Sequence, residues 1–432
     1  MLSDEVIEKV SERLVNRIEQ GNEYVLKKMG ESIKKISTLK NTDVHDLEQI
    51  LKYGGDYEKI VKKLSEITKL NVKDIYKIFE EVARNDYRFA EQFYKYRNKK
   101  YIPFDENVVL KKQVDALAEI TAKKYINLSK TSILGFGFQD EKGIIKYKGL
   151  KKTYYDLIDE AILNISQGKE TFDDVIYKKL KEIGKSGIRV IYPTTYEVED
   201  KKTGEIIKKH YTRRLDSAVR MNIKDGIRML HNETQRQFGK EFDSDGVEVT
   251  VHLNPAPDHQ FVQGKQFSTI APSEDELSEF DKFQNDEDCY SYDGTFFPAE
   301  SEETGHDRRS IGQYNCYHYV FAIVLGVNEP VYTNKQLQQI IDKNNEGCEI
   351  DGKHYTLYET TQLQRQIETK IREWKEQQIL GRTSGNEKLI LESQMKITQL
   401  TKKYKELSKI SELPMKMKRM RISGYKRVAI KK

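Results

Sequence analysis

Four side chains in the second half of the chain have the types and the spacing to do chemistry together. His252 follows the alternating apolar pattern of residues 249–251, and His259 lies beyond it across a proline-containing turn. Cys316 and His318 are two positions apart, so on an extended segment both would point to the same side. Imidazole nitrogen and thiolate sulfur bind zinc, and a thiolate beside an imidazole is also a nucleophile.

We interpret these four residues as a buried, hydrogen-bonded structural cluster that needs no cofactor. Cysteine often fills cores as a small apolar residue, and the spacing matches neither a C-x-x-C nor an H-E-x-x-H metal motif. Two alternatives stay open at this stage. One is a bound zinc ion. The other is an enzyme that uses Cys316 as the nucleophile and His259 or His252 as its base.

The composition indicates a helix-rich protein of two or three domains. The chain has 432 residues, of which 33% are charged and 37% hydrophobic, and its net charge is only +5. Three scattered cysteines argue against a disulfide framework and for a reducing compartment. No apolar run is long enough to span a membrane, and the acidic start lacks the apolar core of a signal peptide. Phosphate-binding loops, G-x-S-x-G and paired-carboxylate motifs are also missing, so we do not expect an enzyme.

The hydrophobic periodicity predicts a mainly α, α+β fold in four parts. Residues 1–135 form a helical N-terminal lobe, 136–240 a helical segment with a β-hairpin, and 241–357 a small central α+β domain. Residues 358–432 form a long helical hairpin and a basic tail. In the first part we expect separate short helices, one ending at Gly54-Gly55 and two that begin at Asp56 and Asn71 as N-caps.

Strand and turn signals concentrate in the middle of the chain. Residues 187–192 read as a strand, and Lys202-Thr203-Gly204 reads as the turn of a hairpin that leads into a helix ending near Phe238. Residues 246–251 alternate as a strand. Between residues 274 and 307 lie thirteen Asp and Glu and a single Lys, which predicts an acidic insertion, solvated but partly ordered, with a turn at Asp293-Gly294.

Two groups of cations are candidate contacts for nucleic acid or for an acidic partner, the alternative for both being a solvated surface. The first lies on the helix after the hairpin: Arg213, Arg214, Arg220 and Arg228. The second lies in the acid-free C-terminal tail: Lys416, Lys418, Arg419, Arg421, Lys426 and Arg427. We expect the tail to contact DNA or a protein partner and not to be an idle, mobile end, with the acidic insertion as a competing partner and a short strand at 427–430. We interpret the aromatic and basic residues of 87–101 as a helix face that packs on a neighbouring helix. The alternatives are a protein interface and a surface that binds single-stranded nucleic acid.

The order of the motifs resembles the phage minor capsid protein 2 family. The resemblance rests on His252, on Pro257-Asp258-His259, on the residues 263–268 (QGKQFS), and on the residues 315–318 (NCYH) with 326–333 (GVNEPVYT). Further matches lie in 51–54, 75–81, 215–220, 351–365 and 404–409, so the resemblance covers nearly the whole chain. The chain departs from the family where Ala256 and Tyr317 stand in place of arginines and Val262 in place of tryptophan. The loss of both arginines favours a structural cluster.

The resemblance implies a structural virion protein that is made in the host cytoplasm and lies near the portal vertex. Its implied partners are the portal protein, the major capsid protein and the genomic double-stranded DNA, with no membrane. It would aid head assembly and genome packaging or delivery. The alternatives are a DNA-binding protein that holds the genome end at the portal, and a Cys/His-dependent enzyme carried in the virion.

Overall fold

The computed structural model describes most of the chain. It includes residues 4–37, 56–96, 98–134, 137–139, 145–147, seven positions between 174 and 184, 188–199, 204, 206–301, 306–307, 310–312, 316 and 318–429. The expected helix before Gly54-Gly55 lies outside these residues. None of the described helices is long and apolar enough to cross a membrane.

The described residues form eight α-helices and several small sheets, which confirms the mainly α, α+β prediction. The helices are α1 (Asp4–Ser37), α2 (Asp56–Tyr96), α3 (Val108–Lys130), α4 (Leu215–Glu241), α5 (Glu279–Gln284), α6 (Asn334–Glu346), α7 (Leu357–Ser384) and α8 (Glu387–Ile410). Short 3₁₀ turns occupy Pro257–His259 and Met417–Met420.

Two sheets and three two-stranded ribbons make up the β structure of the described residues. The strands are β1 (Ser132–Leu134), β2 (Gly137–Gln139), β3 (Ile145–Tyr147), β4 (Ile188–Glu199), β5 (Ile206–Arg214), β6 (Gly246–Val249), β7 (Gln266–Ser268), β8 (Cys289–Tyr290), β9 (Phe296–Phe297), β10 (Glu300–Ser301), β11 (His306–Asp307), β12 (Val320–Ile323), β13 (Cys348–Ile350) and β14 (Lys353–Tyr355). The larger sheet has the order β1-β4-β5-β3-β2, and the smaller has β12-β6-β7. The predicted hairpin is β4-β5, and the predicted strand 246–251 is β6.

Helices α7 and α8 form the antiparallel hairpin that the sequence predicts. Thr356 opens α7 with a capping box that it shares with Glu359, and Gly385 ends the helix in the left-handed region. Three side-chain bonds record the antiparallel register between the two helices: Gln364 with Ser408, Glu368 with Tyr404, and Gln378 with Gln394. The joint between the two helices is short, because α7 continues through Gly381 to Ser384 and α8 begins at Glu387.

Helix α2 is one helix of 41 residues, not the two that the sequence suggested. Asn71 lies inside it, fully buried, and does not cap a second helix. Its amide accepts from Arg17 and donates to the carbonyl of Leu14 and to the hydroxyl of Tyr125, at 3.0–3.3 Å. The Asn71 side chain therefore makes its hydrogen bonds to distant residues and not to the backbone of a helix terminus. Local sequence patterns cannot reveal such partners.

The N-terminal helices share an apolar core with helices from the rest of the chain, and the core of the central domain is a separate cluster. One apolar cluster contains Leu14 of α1, Phe79 of α2, Ala118 of α3, Ile223 of α4 and Leu380 of α7. A helical lobe could stand alone only if it buried its apolar face within itself. The divisions at residues 135, 240 and 357 remain predictions.

The basic tail is docked on the helices of its own chain, so it is not an idle end, and its contact with DNA or a protein partner stays a prediction. Met420 and Ile422 are buried in two different core clusters. Ser423 donates to Glu23 of α1, and Lys418 forms an ion pair with Glu12 at 2.9 Å. Residues 427–429 do not form the expected strand. The methionines and isoleucine of this segment provide the apolar surface that holds the tail in place.

A buried ionic network joins α1, α4 and α7. Arg214, at the start of α4, donates to both carboxylate oxygens of Glu376 and, at 3.2 Å, to Asp216. Arg372 donates to the other oxygen of Asp216 at 2.5 Å, and Asn22 of α1 donates to Glu376 at 2.6 Å. All are at most a tenth exposed, so each charge depends on its partners for solvation.

Glu19 of α1 lies beside this network and titrates differently from its neighbours. Burial, with the nearby charge of Asp216, raises the pKa of Glu19 to about 7, although Arg220, Arg372 and Arg214 oppose the shift. Burial also raises the pKa of the Asp216 carboxyl, but Arg372 and Arg214 outweigh it and hold that pKa well below its usual range. The arginines therefore stabilise the ionised carboxylate of Asp216 more than that of Glu19. Glu19 is protonated over much of the acidic range.

We predict that removing one charge of the network is costly. Glu376→Gln leaves Arg214 buried without its bidentate partner, and this loss should lower the free energy of unfolding by about 3–5 kcal/mol. Urea denaturation measures it. The matched control is Arg84→Ala, which breaks a pair with Asp105 on the surface. If Glu376→Gln loses no more stability than the control, the network does not hold these helices together.

A second prediction concerns pH. Because the folded pKa of Glu19 lies above its ordinary value, folded protein binds more protons at this residue than unfolded protein between about pH 4.5 and 7. The stability that this carboxyl contributes is lost as the pH rises through that window. As the pH rises through this window, the free energy of unfolding of Glu19→Gln should therefore increase relative to that of the natural chain, by on the order of 1–3 kcal/mol. A stability difference that does not change from pH 4.5 to 8 would contradict the raised pKa.

Candidate functional site

The histidine and cysteine cluster, His259, Cys316 and His318, is built on the three-stranded sheet. His259 ends the 3₁₀ turn in the connection between β6 and β7, and its N–H donates to the carbonyl of Ala256 at 2.9 Å. At the end of that connection, Gly264 donates to the carbonyl of Val249 at 2.9 Å with a φ of +72°. A Cβ at Gly264 would lie 2.5 Å from Leu337, so a glycine is required there.

The second half of the cluster lies just before β12. Tyr319 accepts from and donates to Thr250, so the segment that carries Cys316 and His318 runs beside the end of β6. The Cys316 sulfur lies 3.6 Å from Nδ1 of His259 and 3.5 Å from Nδ1 of His318. Two segments 57 residues apart in sequence thus meet at one sulfur atom.

Three of the four predicted residues converge and are closed off from solvent. His259 is 1% exposed, Cys316 2% and His318 3%. His252 is half-buried, and its ring meets the ring of His318 edge to face with centroids 4.7 Å apart. The fourth predicted residue therefore lies at the margin of the cluster.

Gln263 is a member of the site that residue types alone did not single out. Its Oε1 accepts from the backbone N–H of His252 at 2.9 Å and lies 3.5 Å from Nε2 of His318. Its Nε2 is buried with no hydrogen-bond partner among the described residues. The signal in the sequence was the Gln-Gly pair, since Gly264 adopts a positive φ and Gln263 beside it reaches Nε2 of His318.

The thiol of Cys316 is polarised by its neighbours. Burial raises its pKa, but the hydrogen bond and charge of His259 and the backbone N–H groups of Gly312 and His318 outweigh burial. The pKa of Cys316 therefore lies below its ordinary value. A thiolate held this way is a metal ligand or a nucleophile. The burial favours the first, since a nucleophile must also be reached by its substrate.

The cations predicted on α4 do not form an exposed basic face. Arg214 is buried in the ionic network, and Arg228, 1% exposed, pairs with Asp225 at 3.0 Å. Arg220 is half-buried, and Arg213 packs over the ring of Tyr211. Arg214 and Arg228 are buried inside the fold because α1, α2 and α3 pack on α4 and the ionic network joins its start to α7.

The cations of the tail are more accessible. Arg419 is half-buried beside Glu8, whereas the remaining members of the group are exposed. Those exposed members are Lys416, Lys418, Arg421, Lys426 and Arg427. The tail therefore presents a basic surface on an anchored backbone, not on a mobile end.

Within the segment 87–101, the described aromatic rings are those of Tyr87, Tyr94 and Tyr101. Tyr87 and Tyr94 are buried, and they pack on each other, on Tyr101, and on Phe238 and Phe242 at the end of α4. This confirms the helix-packing interpretation for these rings. A stacking surface for single-stranded nucleic acid would need them exposed.

The acidic insertion is partly ordered, as predicted. Phe283, Cys289 and Phe297 pack with Phe267 in the core of the central domain, and Gly294 adopts a φ of +84° in the predicted turn. Most of the described carboxylates are exposed, including Glu274, Asp275, Glu276, Asp281 and Asp288. The insertion is thus an acidic surface fixed by aromatic anchors.

The class of protein follows from the fold: a mainly helical α+β protein with one shared helical core and a closed polar cluster. The family model for phage minor capsid protein 2 matches residues 2–408. This chain belongs to the phage minor capsid protein 2 family, which confirms the resemblance. It is therefore a structural component of the phage virion. No curated protein and no solved structure matches it significantly.

Burial predicts the order in which the three thiols react. Cys348 is half-buried, whereas Cys289 and Cys316 are buried. A thiol reagent added to the native protein should label Cys348 first, and peptide mass spectrometry after timed quenching measures the order. Labelling of Cys316 before Cys348 would mean that the cluster opens to solvent, as the Cys/His enzyme alternative requires.

Proposed function

We propose that this protein is a structural component of the phage head that docks at the portal vertex and aids assembly and genome packaging or delivery. The observation that carries the proposal is the family match over residues 2–408. The shared core supports a structural role, because helices locked by buried ion pairs suit a part that must hold its shape in a particle. The burial of Cys316 supports a role that is not catalytic.

The loops of the central domain are the docking surface that we assign to the portal protein. Leu253 is 74% exposed on the connection between β6 and β7, and Val331 is 75% exposed on the connection between β12 and α6. The second connection is tied to β6 by the bond from the Val331 N–H to Glu248, at 3.1 Å. Exposed apolar side chains on anchored loops are suited to a protein interface.

The charged surfaces supply the remaining contacts of the proposal. The acidic insertion suits a basic face of the portal or the major capsid protein. The exposed tail cations Arg421, Lys426 and Arg427 suit DNA phosphates, each contact adding a salt-sensitive increment that does not depend on sequence. The alternative in which the protein mainly holds the genome end rests on this second surface alone.

The portal assignment predicts a defined loss of binding. The double variant Leu253→Asp, Val331→Asp should bind the portal protein of the same phage genome about tenfold or more weakly, because two apolar contacts become buried charges. Copurification and titration of the coexpressed proteins measure it. The matched control is Val109→Asp, since Val109 is 64% exposed in the first turn of α3, where an acidic residue is tolerated.

Equal portal binding by the double variant and the control would show that the loops are not the docking surface. Failure of the natural chain to bind the portal protein at all would remove the portal from the proposal, while leaving its place in the virion untouched.

A further inference from the structure

The contacts of the cluster leave three electron-pair donors pointing at one another. The backbone N–H of His252 must donate to an oxygen, and this fixes Oε1 of Gln263 as the atom that faces Nε2 of His318. A neutral His318 then carries its proton on Nε2, so its Nδ1 lone pair faces the Cys316 sulfur. His259 has the same arrangement, because its Nε2 lies 3.9 Å from the carboxylate of Asp258 and its Nδ1 faces the same sulfur.

The sulfur cannot satisfy both rings as a thiol. One S–H can be donated to one nitrogen only, and the sulfur already accepts from the backbone N–H of His318 at 3.4 Å. Two nitrogen lone pairs and a sulfur inside a closed site repel one another unless a cation lies between them. Without a cation, relieving this repulsion requires a second proton on one of the rings, which places a buried imidazolium beside the sulfur.

The two distances from the Cys316 sulfur to the ring nitrogens match those of a tetrahedral ion. With Zn–S near 2.3 Å and Zn–N near 2.0–2.1 Å, tetrahedral geometry separates sulfur from each nitrogen by about 3.6 Å. The observed separations are 3.6 and 3.5 Å, and the ligand atoms of the three residues lie within 4.8 Å of one another. The acceptors that face the outer ring nitrogens, Gln263 and Asp258, are the kind of partner that orients metal-bound histidines.

We propose that His259 Nδ1, Cys316 Sγ and His318 Nδ1 bind a zinc ion that locks the central domain. Thiolate with imidazole is a ligand set for zinc, and a closed site is typical of structural zinc. We assign the fourth ligand to His252, whose half-buried ring meets the ring of His318 but lies outside the group of mutually close ligand atoms, so its side chain must turn towards the ion on binding. The ion would join the β6–β7 connection to the segment before β12, on either side of the acidic insertion.

The domain benefits from such a clamp because its apolar core is small. That core holds Val247, Val249, Val262, Phe267, Phe283, Cys289, Phe297, Ile311, Cys316 and Val320. Small cores commonly need a metal or a disulfide to hold their shape, and the free cysteines here form no disulfide.

The test measures metal in the full-length protein purified without added zinc or a metal-affinity tag. Elemental analysis should find stoichiometric zinc in the natural chain and in the control Cys348→Ser, whose thiol lies outside the cluster. Cys316→Ala and His259→Gln should lose most of it. Zinc retained by Cys316→Ala, or absent from a natural chain that also fails to bind added zinc, would overturn the proposal.

A second measurement keeps the test decisive if the cluster variants do not fold. Cobalt(II) added to the chelator-treated natural chain should produce a thiolate-to-metal charge-transfer band, with the intense visible bands of a tetrahedral site. A weak octahedral spectrum without the band would overturn the proposal. His252→Ala should weaken zinc binding, measured by competition with a chromophoric chelator, and unchanged affinity would overturn the assignment of the fourth ligand.

Discussion

The fold depends on the buried pairing of Arg214 with Glu376. The two residues are 162 positions apart, and their bidentate contact brings the start of α4 against the middle of α7, with Asn22 of α1 donating to the same carboxylate. Buried charges tolerate little displacement, because each one loses its solvation if its partner moves. The network therefore fixes the relative positions of three helices that come from both ends of the chain. The docked tail extends the same arrangement, since its buried Met420 and Ile422 pack into the helical clusters.

The central domain depends on a different constraint. Its sheet has only three short strands, and its cluster closes the ends of two connections around Cys316. One strand, β12, also contacts α4, where Asn232 and Gln235 accept from the N–H groups of Val320 and Ala322. The domain is thus anchored to the helical core on one side and carries exposed apolar loops and a fixed acidic surface. This combination suits a component that presents a rigid surface to neighbours in a particle.

Local patterns in the sequence predicted the local elements well. The β4-β5 hairpin, strand β6, the α7-α8 hairpin and the turn at Gly294 follow from alternation, glycine and helical periodicity. The convergence of His259, Cys316 and His318 was also predictable, because the motifs flank paired strands. What failed were features decided by distant partners. Asn71 resembles an N-cap in the sequence, but Arg17 and Tyr125 are its partners, and Arg214 resembles a solvated cation although Glu376 of α7 pairs with it. Gln263 joins the site only through the geometry of the turn.

We propose that this protein, a phage capsid component by its family, is built into the particle at the portal vertex. Quantitative mass spectrometry of purified, DNA-filled particles, with isotope-labelled standard peptides for this chain and for the portal and major capsid proteins, tests it most directly. The account predicts that the chain is retained in finished particles, at a constant ratio to the portal protein and far below the major capsid protein. Absence from DNA-filled particles, or an amount that follows the major capsid protein, would contradict it.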